Sequence, residues 1–238
     1  MSLPSKQPVL EFSEVFLHHP AFSGPLLEDL SFAVRPGEVL ALTGPSGSGK
    51  SSALGLALAA GVPSRGEVHV NGAATAVLDS DGVAHLRTRI GWVPQQGGLV
   101  SNLSLVDNLA LPLRWHRRMT DAEARPAMAA ACELVDLELD DLPQIQPARA
   151  GQEMRQLIAL ATALVLEPTL LLIDEPAAGL GGNAAREYWR LIHRLRERRG
   201  VAVLVAANDA PTVRAQVEYC IALPARHQDL SRLRPTVS

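Results

Sequence analysis

Short apolar runs and helical-period stretches alternate along most of the chain. Val9 to Leu17 and Leu26 to Val34 read as strands, separated by a turn-forming stretch from His19-Pro20 to Gly24-Pro25. Pro36-Gly37 marks a turn, and Val39 to Thr43 predicts a short buried strand. Ser52 to Ala60, rich in Ala and Leu, predicts a helix. Gly66 to Val70 predicts a strand that ends in the hairpin signal Asn71-Gly72. A short helix over Asp81 to Arg89 leads into a strand over Ile90 to Pro94.

From Gln95 to Leu166 the pattern turns helical. An amphipathic helix starts at Leu105 and is stopped by Pro112, which lacks a backbone donor. Thr120-Asp121-Ala122-Glu123 is a capping box that opens a helix to about Val135. Pro143 and Pro147 break the chain, and Gly151 to Leu166 reads as a further helix. Thr169 to Ile173, Val201 to Ala206 and Cys220 to Leu223 predict strands. Between them lie an amphipathic helix from Asn183 to Arg199, closed by Gly200, and a short helix opened by Pro211. Strands alternating with helices argue for an α/β fold with a mostly parallel sheet, flanked at its N-terminal side by an antiparallel sheet. No internal repeat is present. The expectation is a single domain over residues 1–238, with a helical part inserted at about 96–166 and a polar tail at about 226–238.

A chain of 238 residues with net charge −3 can bury a sizeable core and offers no basic surplus for nucleic acid. Cys132 and Cys220 lie far apart without metal-type spacing, and are expected to be reduced core thiols in a cytosolic protein. Met1 to Pro8 lacks the charged-then-apolar pattern of a signal segment. The longest uncharged apolar run, Leu157 to Leu166, falls short of the ~20 residues that cross a bilayer. Any membrane contact is therefore expected to go through a partner.

The chemistry begins at Gly44-Pro45-Ser46-Gly47-Ser48-Gly49-Lys50-Ser51, which fits the phosphate-binding loop G-x-x-x-x-G-K-[ST] at every fixed position. It lies between a predicted strand and a predicted helix, the context the motif requires. Glycines let backbone N–H groups converge on a phosphate without a Cβ in the way. The start of the helix, at Ser52, adds donors and partial positive charge. Lys50 is placed to reach β- and γ-phosphates and Ser51 to ligate Mg²⁺. A second signal is Leu170-Leu171-Leu172-Ile173-Asp174-Glu175, an apolar strand that ends in two carboxylates. It is either an ordinary strand running into an acidic turn, or a pair in which Asp174 serves the metal and Glu175 polarises an attacking water.

With these two motifs the chain resembles the ATP-binding subunits of ABC transporters, over roughly Val9 to Leu223. The resemblance implies ATP and Mg²⁺ as cofactors and the P-loop architecture with an N-terminal β subdomain and an inserted helical subdomain. It makes Gly44 to Ser51 the Walker A loop, and Asp174 and Glu175 the Walker B aspartate and catalytic glutamate. Gln95, after Gly91-Trp92-Val93-Pro94, becomes the glutamine that contacts Mg²⁺ and the attacking water. His19 falls where an aromatic ring usually stacks on adenine; it is either that or a solvated loop histidine.

Three positions depart from the pattern. The signature Leu-Ser-Gly-Gly-Gln is set against Ala150-Gly151-Gln152-Glu153-Met154, which lacks the serine. Glu153 then either repels a partner's γ-phosphate or simply suits a helix N-terminus. Gly181 replaces an aspartate, and Asn208 replaces a histidine at a catalytic position. A finer likeness to ATPases of Mla- and Mce-type lipid transporters lies over Gly97 to Leu113. It implies an apolar groove between the Gln95 loop and that helix, with Leu103 and Leu109 on its floor, for a helix of a membrane subunit. The basic group Arg114, His116, Arg117, Arg118 is a solvated helix end or faces lipid headgroups.

The implied function is ATP hydrolysis that drives an inner-membrane transporter, for phospholipid or another lipid, from the cytoplasmic face. Its implied partners are transmembrane permease subunits and a second nucleotide-binding subunit, identical or different. The alternative is a hydrolysis-poor subunit that clamps or regulates a heterodimer. P-loop kinases and GTPases fit less well, because no acceptor or base-specificity motif accompanies the carboxylate pair.

Overall fold

A computed structural model of the chain describes residues 7–18, 24–208 and 211–225, and the backbone alone for 211 and 212. The N-terminal part contributes β1 (Leu10–His18) and β2 (Pro25–Val34), an antiparallel pair, then β3 (Val39–Thr43). Helix α1 spans Lys50–Ala57 and starts two residues before the predicted Ser52. Next come β4 (Arg65–Val70) and β5 (Ala73–Ala74), joined by Asn71 and Gly72, both at positive φ, as the hairpin signal predicts. Helix α2 (Ser80–Thr88) and β6 (Ile90–Val93) follow. The insertion holds α3 (Leu105–Arg117), α4 (Asp121–Glu133) and α5 (Gln152–Leu164). The chain closes with β7 (Leu170–Asp174), α6 (Gly182–Arg199), β8 (Ala202–Ala207), the short α7 (Pro211–Arg214) and β9 (Tyr219–Ala222).

Two sheets result. The antiparallel one runs β2-β1-β4-β5, and the parallel one β6-β7-β8-β3-β9. The inner strands of the parallel sheet are buried on both faces, and their two-residue period divides the core. Val39 and Ala41 of β3, Leu171 and Ile173 of β7, and Val203 and Val205 of β8 face the helical insertion and α6. Leu40 and Leu42, Leu170 and Leu172, and Leu204 and Ala206 face α1 and the antiparallel sheet. This two-sided burial is why those strands read as unbroken apolar runs.

Two expectations are corrected. Helix α3 does not stop at Pro112 but runs through it to Arg117. Leu105, Leu109 and Leu113 lie one turn apart on the buried face of α3 and join the core cluster beneath the insertion. Burying a leucine such as Leu113 is worth about 1.5–3 kcal/mol. With the bonds from Arg114 to Asp107 (3.1 Å) and Asp121 (2.8 Å), that offsets the ~3 kcal/mol cost of an interior proline. Helix α4 opens at the predicted Thr120–Glu123 capping box and, as expected, is continuous through Pro126. Cys220 is free but exposed, on the edge strand β9, while Cys132 is free and buried.

Candidate functional site

Parallel strands bring their carboxyl ends to one edge of the sheet, and the predicted residues leave the strands there. Gln95 follows β6, Asp174 ends β7, Asn208 follows β8, and the glycine loop joins β3 to α1. A cleft of about 380 Å³ collects Ser46, Gly47, Gly49, Lys50, Ser51, Ser52, Gln95, Asp174, Glu175 and Asn208.

The loop is shaped by its glycines. Gly44 has φ 150, and a Cβ there would stand 2.5 Å from the carbonyl oxygen of Leu223. Gly49 caps α1 in a left-handed conformation (φ 98), and a Cβ would stand 2.7 Å from Leu27 Cδ2. Only glycine fits either place. Because α1 begins at Lys50, the Lys50 and Ser51 side chains both leave its first turn. The Lys50 ammonium is buried and donates to the carbonyls of Gly44 (2.7 Å) and Pro45 (3.0 Å). Ser48 Oγ is buried within the loop and has no hydrogen-bond partner among the described residues.

Ser51 Oγ donates to Asp174 Oδ2 at 2.9 Å, joining residues 123 positions apart. Glu175 follows at positive φ (54), a conformation rarely adopted by non-glycine residues. Its own N–H still bonds Ala206 at 2.7 Å, so the turn begins only after the sheet contact is made. The Asn208 N–H reaches Glu175 Oε2 at 3.5 Å. Burial pushes the Glu175 carboxyl above the ordinary glutamate range, against the pull of the Asn208 N–H and the Lys50 charge, with the Asp174 charge adding to the rise.

The remaining predicted positions are placed as follows. His19 lies outside the described residues. Gly151 and Gly181 are the N-caps of α5 and α6, both exposed, with open space where a Cβ would stand. Glu153 is exposed in the first turn of α5. The groove expected beside Gln95 is not apolar. Leu109 is fully buried in the core, since it shares the inward face with Leu105 and Leu113. The cleft that does open beside Gln95, about 500 Å³, is walled by Gln96, Gln152, Arg155 and Gln156.

Sequence reasoning missed three contributors. Leu26, on β2, forms an apolar wall of the first cleft; no motif marks it. Gln152 Nε2 donates to the Ala178 carbonyl at 2.8 Å and ties the start of α5 to the turn after Glu175. Asn108, 2% exposed, pins the loop before α3 through Val100 (2.6 and 3.0 Å) and Ser104 (2.9 Å). An asparagine among the apolar positions of α3 was the available signal for it.

Residues 27–178 match the family model described as ABC transporter. The lipoprotein-releasing system ATP-binding protein LolD of Bordetella pertussis is 34% identical over 211 residues, covering 88% of this chain and 87% of LolD. The sulfate/thiosulfate import ATP-binding protein CysA of Mesorhizobium japonicum is 31% identical over 186 residues, 78% of this chain and 52% of CysA. Among solved structures, the dimeric post-hydrolysis state of the ATP-binding cassette MJ0796 bound to ADP and Pi superposes with a TM-score of 0.80. That match is at 26% identity and covers 92% of this chain and 97% of the cassette.

Proposed function

The chain belongs to the ABC transporter family and is an ABC-type ATPase, and from that premise we propose that it energises an inner-membrane transporter of lipid-type cargo. The observation that carries the reading is the Ser51–Asp174 hydrogen bond of 2.9 Å, with Lys50 and Glu175 in the same cleft. On binding ATP, the Lys50 ammonium exchanges the carbonyls of Gly44 and Pro45 for β- and γ-phosphate oxygens. Loop N–H groups supply further donors. Ser51 and Asp174 would hold Mg²⁺, a hard cation that takes one or two protein oxygens beside phosphate oxygens and supplies charge neutralisation there. Glu175 accepts a proton from the water whose oxygen attacks the γ-phosphorus. The bond from that phosphorus to the bridging oxygen breaks, and ADP leaves. Gln95 lines both clefts and so can report the state of one to the other.

In the signature segment Ala150-Gly151-Gln152-Glu153-Met154, Gly151 stands at the serine position and is the N-cap of α5, a place serine suits, so the missing group is a hydroxyl at the helix start. Glu153, exposed in the first turn of α5, favours that helix N-terminus and brings a negative charge toward a partner's γ-phosphate.

The lipid reading leans on LolD, whose likeness spans most of both chains, whereas CysA is matched over half its length. That relative serves lipoprotein release, so the finer likeness moves from the Mla and Mce type to the lipoprotein-releasing type. Among the described residues no helix is long and apolar enough to cross a membrane. Attachment through permease subunits at the cytoplasmic face is proposed from membership of the ABC transporter family. A second subunit would complete each site; the similar MJ0796 cassette bound to ADP and Pi is dimeric. Gly151, Gly181 and Asn208 favour a second reading, a slow, hydrolysis-poor subunit that clamps or regulates a heterodimer with a different partner subunit. The test is isolation of the chain from membranes with its partners, with ATP turnover measured alone and in the complex. Absence of a copurifying membrane subunit would overturn the transporter reading. Full activity alone would overturn the slow-subunit reading.

A further inference from the structure

At the opposite edge of the parallel sheet from the phosphate loop, a cavity of about 450 Å³ opens between the helical insertion and the sheet core. Its floor is aliphatic: Leu113 of α3, Val165 beyond α5, Leu195 of α6 and Val201 before β8, all buried. Ala130 and Leu134 form the wall on the α4 side. Nothing in the first cleft shares these residues, because Val201 precedes β8 whereas Asn208 follows it.

Three features define what such a cavity takes. Its volume falls within the roughly 300–1,000 Å³ of small-molecule sites. No aromatic ring lines it, so it offers a flat heterocycle nothing to stack on and suits a flexible aliphatic chain. Its mouth is cationic. Arg199 is engaged with Glu167 at 3.8 Å, whereas Arg117 is exposed and its guanidinium has no ion pair or hydrogen bond among the described residues. A free guanidinium over an apolar floor matches a carboxylate or phosphate on a hydrocarbon tail.

We propose that this cavity binds a single-chain anionic amphiphile, with its hydrocarbon chain on the Leu113–Val165–Leu195–Val201 floor and its head on Arg117. The occupant touches α3, α4 and the beginning of β8 together, so it joins the insertion to the core and stabilises the folded chain by mass action. The site does not depend on ATP hydrolysis, and its test needs no nucleotide.

The experiment is titration calorimetry of the full chain with laurate, lauroyl lysophosphatidate and the uncharged dodecanol, all as monomers, alongside thermal melts. Saturable binding at one site is expected for both anions, with a raised melting temperature. Dodecanol should bind about tenfold more weakly or worse. Carboxylate and phosphate heads are separated by which of the two anions binds tighter. Ala130→Trp fills the cavity from an exposed helical position and should weaken both anions at least about tenfold. Arg117→Glu, a surface change, should abolish the preference for anions over dodecanol. The proposal fails if no saturable binding occurs, if dodecanol equals the anions in the unaltered chain, or if binding survives both substitutions unchanged. Variants are accepted when their melts without ligand match the unaltered chain.

Discussion

Glu175→Gln probes the chemistry most directly, because it removes a charge and a proton acceptor while keeping the side chain's shape. The backbone of Glu175 is held independently of its side chain, by N–H to Ala206 at 2.7 Å and by Ala178 N–H to its own carbonyl at 3.1 Å. Among the described residues the side chain accepts a single long bond, 3.5 Å from the Asn208 N–H, which an amide oxygen can also accept. The fold should therefore survive. General-base catalysis contributes about 10²–10⁴ in rate, or roughly 2.7–5.5 kcal/mol at 1.36 kcal/mol per tenfold. Turnover should fall by that factor while ATP affinity holds.

The pH dependence gives a second readout. Burial raises the Glu175 carboxyl, so the unaltered protein should lose turnover on the acid side at a pH above the ~4.3 of an ordinary glutamate. The glutamine variant's residual rate should lack that limb. For stability, a raised carboxyl favours the protonated fold. Its contribution is present below the unfolded pKa and is lost as pH rises through the folded one. Glu175→Gln should flatten the melting temperature across that window. Phosphate release on the copurified complex, from acid to neutral pH, checks the rate, and melts over the same range check the stability. A variant within about threefold of the original rate, or one that keeps the acid limb, would refute the assignment of Glu175 as the base.

Lys50→Ala removes the charged donor now spanning the carbonyls of Gly44 and Pro45. Losing about 3 kcal/mol of phosphate contact should cost roughly a hundredfold in ATP affinity by calorimetry, and unchanged binding would contradict the loop assignment. Gly151→Ser with Glu153→Gly restores the hydroxyl at the α5 N-cap and removes the nearby negative charge, and should raise ATP turnover of the assembled dimer severalfold; an unchanged rate would show that these two positions do not limit turnover. A thiol reagent at mild alkaline pH should label Cys220 quickly and leave Cys132 unmodified until unfolding, because burial pushes the Cys132 thiol up to about 11, with the Glu138 charge adding; two fast equivalents in the native protein would disprove this. Leu109→Glu should unfold the insertion by circular dichroism while Leu103→Glu leaves it folded, since Leu109 is fully buried and Leu103 is half-exposed; a folded Leu109→Glu variant would contradict the inward face of α3.

The phosphate loop is legible in the sequence because its physics is local. Eight consecutive residues between a strand and a helix set the backbone donors, and no distant contact is needed to recognise them. The same holds for the apolar runs of β3, β7 and β8, whose unbroken character reports burial on both faces. Spacing can nominate Asp174 and Glu175 but cannot say where they point. Only the strand order β6-β7-β8-β3-β9 brings Asp174 to Ser51 across 123 positions and sets Asn208 against Glu175. Leu26 joins the cleft because the β1–β2 hairpin folds over the loop, and Gln152 meets Ala178 because α5 packs beside that turn. Local propensity makes Pro112 a stop, yet the burial of Leu113 outweighs the proline. Local rules hold where the stabilising contacts lie within a few residues. Where stability comes mainly from apolar area buried against a distant part of the chain, the outcome belongs to the tertiary structure.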